Sequence, residues 1–382
     1  MRYRSLGRTG LMVSELGLGC EYLEPQPWET FSAVIEQAMA NGINIMDAFM
    51  PHPYARDMLG KVLIGKREKM ILQTHVGAIM EGNQYKQSHN LEKSKKYIND
   101  FLVRCHTDYI DILMLHFVDT PKHRDEVYDG GLLEYAQELK RQGVARFIGM
   151  SSHDAVTSVE IVKTGILDVL MFSTNLAFDM MPAECELDNI LFRDEAYDQQ
   201  ETFRIDPKRA ELYRLCTQMG VGITAMKPLA AGRLLDAKRS PFRRALTVPQ
   251  CVRYCLDRPG VASALVGVSN LRELEDLLSY LDSSEEKLDY SFIANAPKIS
   301  ADGSCMYCNH CLPCPTGINI GMVTKYYDLA VGIPKGSPVF EHYSRLEHHA
   351  SECIACRACE TRCPFHVPVV ENMIKAKKMF GK

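Results

Sequence analysis

Eight of the fourteen cysteines lie in two tight runs near the C-terminus, Cys305, Cys308, Cys311, Cys314 and then Cys353, Cys356, Cys359, Cys363, and each run is followed by a proline. Two residues between successive cysteines let three thiolates curl around one face of a cubane cluster, while the fourth, proline-flanked one leads away toward a neighbouring cluster. The spacing therefore predicts two [4Fe-4S] clusters and single-electron chemistry. One cluster takes Cys305, Cys308, Cys311 and Cys363, and the other takes Cys353, Cys356, Cys359 and Cys314. The first run is shorter than the usual spacing, since only Leu312 and Pro313 separate Cys311 from Cys314. Zinc competes for four thiolates, but its cysteines usually come as two separated pairs. Disulfides would need an oxidising compartment. No leader of the exported type opens the chain, so the expected location is the cytoplasm.

The elements that must position such chemistry can be counted. A chain of 382 residues accommodates one large barrel and a small second domain. Short apolar, β-rich runs alternate with helical periodicity up to about residue 282. Strands are predicted at Ser14–Gly19, Asn44–Phe49, Met70–Val76, Tyr109–Phe117, Phe147–Ser152, Leu167–Ser173, Gly222–Pro228 and Ala262–Val268. Helices are predicted at Trp28–Ala40, Leu91–Cys105, Leu132–Gln142, Pro207–Met219 and Leu271–Leu281, among others. Eight such pairs imply a (β/α)8 TIM barrel over residues 1–283, and the charged break Asp282 to Lys287 sets off a second domain, 284–382. The polar stretch Met181 to Ile205, after the sixth strand, has the length of a lid or specificity segment. The other six cysteines, Cys20, Cys105, Cys185, Cys216, Cys251 and Cys255, read as small buried apolar residues.

The remaining composition narrows the partners. A net charge of -4 without a dense Lys/Arg tract gives nucleic acid no electrostatic footing. No apolar run approaches the roughly 18 residues a membrane helix requires. A small-molecule substrate is the expected partner.

In a barrel of this kind the chemistry sits at the C-terminal strand ends. Those ends supply Asp47, His75, His116, Ser151, Ser152, His153 and Lys227, with His52 and Tyr54 in the loop after Asp47. His89 and His153 are expected on the surface, and Lys227 as a packing residue or a phosphate contact.

These features together resemble the aldo-keto reductase family, in the subgroup with a C-terminal ferredoxin-like domain. The resemblance is carried by Met1 to Leu11 with Val13-Ser14 and Leu16-Gly17, by Gly42-Ile43-Asn44 leading to Asp47, and by Leu59-Gly60-Lys61. It continues in Asp108 to Asp111 leading to His116, Ile148-Gly149 with Ser151, Met226 to Ala230, and Gly267 with Ser269. It implies a barrel followed by a small α-rich, ferredoxin-like iron–sulfur domain, and carbonyl chemistry with NAD(P)H. It also implies a tetrad of aspartate, tyrosine, lysine and histidine. By position Asp47 is the aspartate and His116 the histidine, while the tyrosine place holds His52 and the lysine place His75. Tyr54 can replace the tyrosine if the loop between Pro51 and Pro53 is rebuilt. The resemblance assigns Ser151, Lys227, Gly267, Ser269 and Asn270 to cofactor binding. Glu273 stands where NADP-preferring relatives often carry a cation, Leu277 where an asparagine usually meets adenine, and Met171 where a glutamine commonly faces the nicotinamide.

Three interpretations of Asp47, His52, His75 and His116 stay open at this level. An imidazole can replace phenol as proton donor. Three imidazoles and a carboxylate can hold a divalent metal ion. The histidines can also merely satisfy local hydrogen bonds. The first makes the chain an iron–sulfur oxidoreductase acting on a small hydroxylated or carbonyl substrate, with a ferredoxin-type partner or a nicotinamide exchanging electrons with the clusters. The second makes it a metal-dependent lyase or isomerase, and a non-enzymatic electron-transfer protein is the third class.

Overall fold

The computed structural model describes residues 1–82, 84–183, 185, 187–299 and 303–382. Eight parallel strands close a barrel. They are β1 (Leu16–Gly19), β2 (Ile45–Asp47), β3 (Ile71–Val76), β4 (Ile110–Leu115), β5 (Ala145–Ser152), β6 (Val169–Ser173), β7 (Gly222–Met226) and β8 (Val261–Gly267). Each pairs with the next, and β8 returns to β1 through Ala264 opposite Leu16. Strands buried on both faces are what produce the near-continuous apolar runs in the sequence. Ile110–Leu115, for instance, is buried at every position.

Two hairpins lie outside the predicted pattern. Tyr3–Ser5 pairs antiparallel with Met12–Ser14, so the first predicted strand is split and the barrel strand begins only at Leu16. The second hairpin, Ala78–Glu81 with Gln84–Gln87, grows directly from the end of β3. The stretch from Met181 to Ile205 is not a bare loop: helices Leu187–Phe192 and Asp194–Asp198 form within it, while residues 184 and 186 lie outside the described residues.

The buried core continues from the barrel into the C-terminal region without a break, through Tyr290, Ile293, Met306, Ile318 and Val323. Helix Val248–Asp257 on the barrel's outer face carries the seam. The Tyr290 hydroxyl lies 3.0 Å from the Asp257 carboxylate and 2.9 Å from the Met306 carbonyl, either of which can accept its proton, and buried Arg258 donates to that same carbonyl at 2.6 Å. Beyond it lie helices Ile320–Ala330, Pro338–Ser344 and Val369–Phe380, and the first and last of them border Cys314, Cys353, Cys356 and Cys359.

Candidate active site and cluster loops

Strand register delivers the central side chains. Asp47 ends β2 opposite Gln73 of β3, so His75, two residues on, projects from the same inner face one step higher. His116 follows β4 directly, its amide held by the Val76 carbonyl at 3.0 Å. The result is a buried chain: Asp47 Oδ1 lies 2.8 Å from His75 Nε2, and His75 Nδ1 lies 2.8 Å from His116 Nδ1. The far nitrogen of His116, Nε2, meets the hydroxyl of Tyr85 from the second hairpin.

These groups line a cavity of about 500 Å³, within the range of small-molecule sites. Ser151, Lys227, Met171 and Gly267 share its wall, as do the carboxylates Glu21 and Asp188. Lys227 has no ion-pair partner among the described residues. Burial pushes the His116 imidazole well below its usual pKa, and His75, His153, His89 and Lys227 add to the shift. His116 is therefore neutral at neutral pH.

Two expected residues stand elsewhere. His52 stands at the N-cap position of the helix Pro53–Val62 without a side-chain capping bond, and because proline suits the first helical turn, the helix begins just after it. Its Nδ1 sits 3.8 Å from Glu24, and neither His52 nor the exposed Tyr54 lines the cavity. His75 meanwhile has a protein partner on each ring nitrogen. The donors proposed for a divalent ion are thus not assembled, and no step is derived through such an ion.

His153 and His89 also depart from expectation, because both are enclosed. His153 donates its backbone amide to Asp119 at 2.7 Å, its Nδ1 lies 2.9 Å from the same carboxylate, and it lines the cavity. His89 pairs with Glu126 at 2.7 Å. Tyr85, by contrast, was not indicated by the sequence; the signal it offers is a lone aromatic in the polar run Gln84 to Gln87.

The turn after β8 is occupied by the chain itself. The Ser269 amide and hydroxyl both donate to the Glu273 carboxylate, at 2.7 and 2.9 Å, and Asn270 caps the Glu273 amide at 3.0 Å. Ser269 and Asn270 lie outside the cavity, and Tyr22 packs onto Gly267. A carboxylate of the protein thus takes up the Ser269 donors that the family resemblance assigns to a cofactor.

The cysteine runs share one backbone signature. In each, the residues flanking the second cysteine are left-handed: Tyr307 and Asn309 at φ 58° and 60°, Ala355 and Arg357 at 55° and 60°. Non-glycine residues resist that conformation, and here it recurs at the same two places in both loops. Arg362 draws the runs together by donating to the Cys311 carbonyl at 2.6 Å and the Pro313 carbonyl at 2.7 Å. Cys314, Cys353, Cys356 and Cys359 line one small cavity. Cys305 and Cys363 each lie near Cys308 and Cys311, and Cys359 lies near Cys311 as well. This donor chemistry suits two cubanes.

Comparison with known proteins agrees. The sequence model described as "Aldo/keto reductase family" matches residues 15–250. The chain belongs to the aldo/keto reductase family. A second model, "4Fe-4S dicluster domain", matches residues 304–368, which makes the protein an oxidoreductase of this family with an iron–sulfur domain. Among curated relatives, the "Uncharacterized oxidoreductase YqkF" of Bacillus subtilis is 32% identical over 48% of this chain and 59% of its own length. The L-galactose dehydrogenase of Arabidopsis thaliana is 25% identical over 72% of this chain and 86% of its own length. The solved aldo-keto reductase AKR11C1 from Bacillus halodurans, in its holo form, shares the fold with a TM-score of 0.60 at 23% identity, over 77% of this chain and 96% of that one.

Proposed function

We propose that the barrel interconverts a carbonyl and a hydroxyl group on a small polar, hydroxylated substrate, with the buried Asp47–His75–His116 chain moving the proton. That chain is the observation that carries the reading, because His75, at the family's lysine position, joins the aspartate Asp47 to the histidine His116 through two short contacts. An ionised Asp47 can only accept, so His75 carries its proton on Nε2 and accepts on Nδ1. His116 then carries its proton on Nδ1 and presents an accepting Nε2 to the cavity. One proton per ring satisfies every contact. The reverse arrangement, with Asp47 protonated, satisfies them equally, so the chain can pass a charge between its buried and its open end.

A nicotinamide would supply or receive the hydride, with Ser151 and Lys227 as its contacts in the cavity. Glu273 on Ser269 favours NADH over NADPH, since a second anion at that turn would meet a fixed carboxylate. The L-galactose dehydrogenase relative is in keeping with a polyhydroxylated substrate.

The two clusters would supply one-electron exchange, held by Cys305, Cys308, Cys311 and Cys363 and by Cys314, Cys353, Cys356 and Cys359, in a C-terminal domain spanning 284–382. Cys356 is exposed, and none of the eight cysteines lines the barrel cavity. The clusters therefore face a ferredoxin-type partner at the surface rather than the substrate. Among the described residues no helix is long and apolar enough to cross a membrane. A reducing cytoplasm suits cysteines that serve as cluster ligands rather than disulfides.

The test is a fluorescence titration of the anaerobic, iron-loaded protein with NADH and NADPH, followed by turnover of small hydroxylated aldehydes and the matching alcohols. Micromolar NADH binding with turnover supports the reading. No binding of either nicotinamide below millimolar concentration overturns it.

A further inference from the structure

Resting on the carbonyl–hydroxyl reading above, we propose that Tyr85, from the hairpin grown off β3, is the group that exchanges the proton with the substrate oxygen. The family's tyrosine has in effect moved from one loop to another.

Several observations converge. The Tyr85 hydroxyl contacts His116 Nε2, the open end of the imidazole chain. Phe49 fixes both partners, meeting Tyr85 edge-on at 5.7 Å and stacking on His116 at 5.8 Å. The hairpin is tied to the barrel: Gln87 donates to the Phe117 carbonyl at 3.1 Å, the Ser88 amide to the Gly77 carbonyl at 2.8 Å, and Tyr97 to the Met80 carbonyl at 2.8 Å. Tyr85 lines the same cavity as Ser151 and Lys227. His52 and Tyr54, at and near the family's tyrosine position, do not. Burial, with Glu21 nearby, pushes the Tyr85 phenol up to about 12, so it holds its proton until a partner draws it off.

The step balances. In reduction, the substrate carbon receives a hydride, two electrons, from a reduced nicotinamide, and its oxygen receives the proton from Tyr85, so C=O becomes CH–OH. The phenolate left behind takes the proton on His116 Nε2. His116 Nδ1 takes one from His75 Nδ1, and His75 Nε2 takes one from the Asp47 carboxyl. Reduction therefore starts from the arrangement with the proton on Asp47; the negative charge travels from Tyr85 to Asp47, which leaves the arrangement with His116 Nε2 accepting, and one solvent proton restores the start. Alcohol oxidation runs the same sequence backward.

The test compares the wild-type iron-loaded chain with Tyr85→Phe and Tyr54→Phe, using glyceraldehyde, simple ketones and sugar alcohols with NADH or NAD. Phenylalanine keeps the ring against Phe49 and removes only the hydroxyl, and unchanged NADH affinity reports an intact site. The expected result is a loss in kcat of about 10² to 10⁴-fold for Tyr85→Phe, the range of general acid–base catalysis, with KM changed less than about threefold. Wild-type turnover with Tyr85→Phe within about threefold of it overturns the Tyr85 assignment and leaves the reductase reading standing. A large loss in Tyr54→Phe instead returns the role to the family's loop. A wild type that neither binds a nicotinamide nor turns over any probe overturns both.

Discussion

The Nδ1 atoms of His75 and His116 stand 2.8 Å apart in the barrel, so one of the two must carry a proton and the other must not. That contact ties the protonation of a buried carboxylate to the chemistry of an open cavity, and the first prediction follows from it. Asp47→Asn replaces an accepting oxygen by an amide that can donate to His75 Nε2, which reverses the tautomer of both rings without removing a contact. Turnover should fall by about 10² or more while NADH affinity stays within about twofold. Steady-state kinetics and a binding titration read the two quantities separately, and a matched loss in both would mean the site had collapsed instead.

Stability should weaken in acid because buried histidines resist protonation. The His116 imidazole is held down by burial first, then by its cationic and imidazole neighbours, and burial outweighs the Asp119 pair at His153. Below the ordinary histidine value of about 6.5, the unfolded chain binds protons that the folded chain refuses, so this stability is full above that pH and lost as pH falls. The slope is at most about 1.4 kcal/mol per pH unit for each such group. Urea unfolding at several pH values should give a shallower slope in His116→Gln than in the wild type. Parallel slopes would contradict the neutral assignment.

The turn after β8 predicts cofactor choice. Glu273 occupies the Ser269 amide and hydroxyl, so wild type should bind NADH at least tenfold more tightly than NADPH. Glu273→Ala frees both donors, and because a charge-assisted hydrogen bond is worth about 1.5–3 kcal/mol, NADPH binding should tighten by about tenfold or more. Equal affinities in the wild type would remove Glu273 from the argument.

The clusters make a crossed prediction. Cys314→Ser should release the cluster built with Cys353, Cys356 and Cys359 and leave about four irons per chain, while Cys363→Ser should release the other. Arg362→Ala, which removes the donors to the Cys311 and Pro313 carbonyls, should keep both clusters but lose iron faster to a chelator. Iron analysis and anaerobic absorbance measure all three. Loss of the same cluster in both cysteine variants would refute the crossed partition.

Much of this was legible in the sequence because it depends on local pattern. Eight strands announce themselves by apolar runs, and Asp47, His75 and His116 stand where those runs end, so parallel register alone brings them together. Cysteine spacing is local in the same way. What the sequence concealed depends on tertiary contact. Tyr85 sits in a polar stretch whose strand character comes only from pairing with Ala78–Glu81. His153 is polar by type, but the Asp119 carboxylate that encloses it is 34 positions away in the chain. His52 falls at the family's tyrosine position, yet Pro53 sets where its helix begins, and His52 does not line the cavity. The occupation of Ser269 by Glu273 needed the helix to be built before it could be seen.

The imidazole chain is tested most directly by nitrogen-15 NMR of the histidine rings in the isotope-labelled, anaerobic protein at neutral pH. The account predicts one protonated nitrogen on each of His75 and His116, with both tautomers reversing together in Asp47→Asn. A doubly protonated His116, or two rings that respond to that substitution independently, would contradict it.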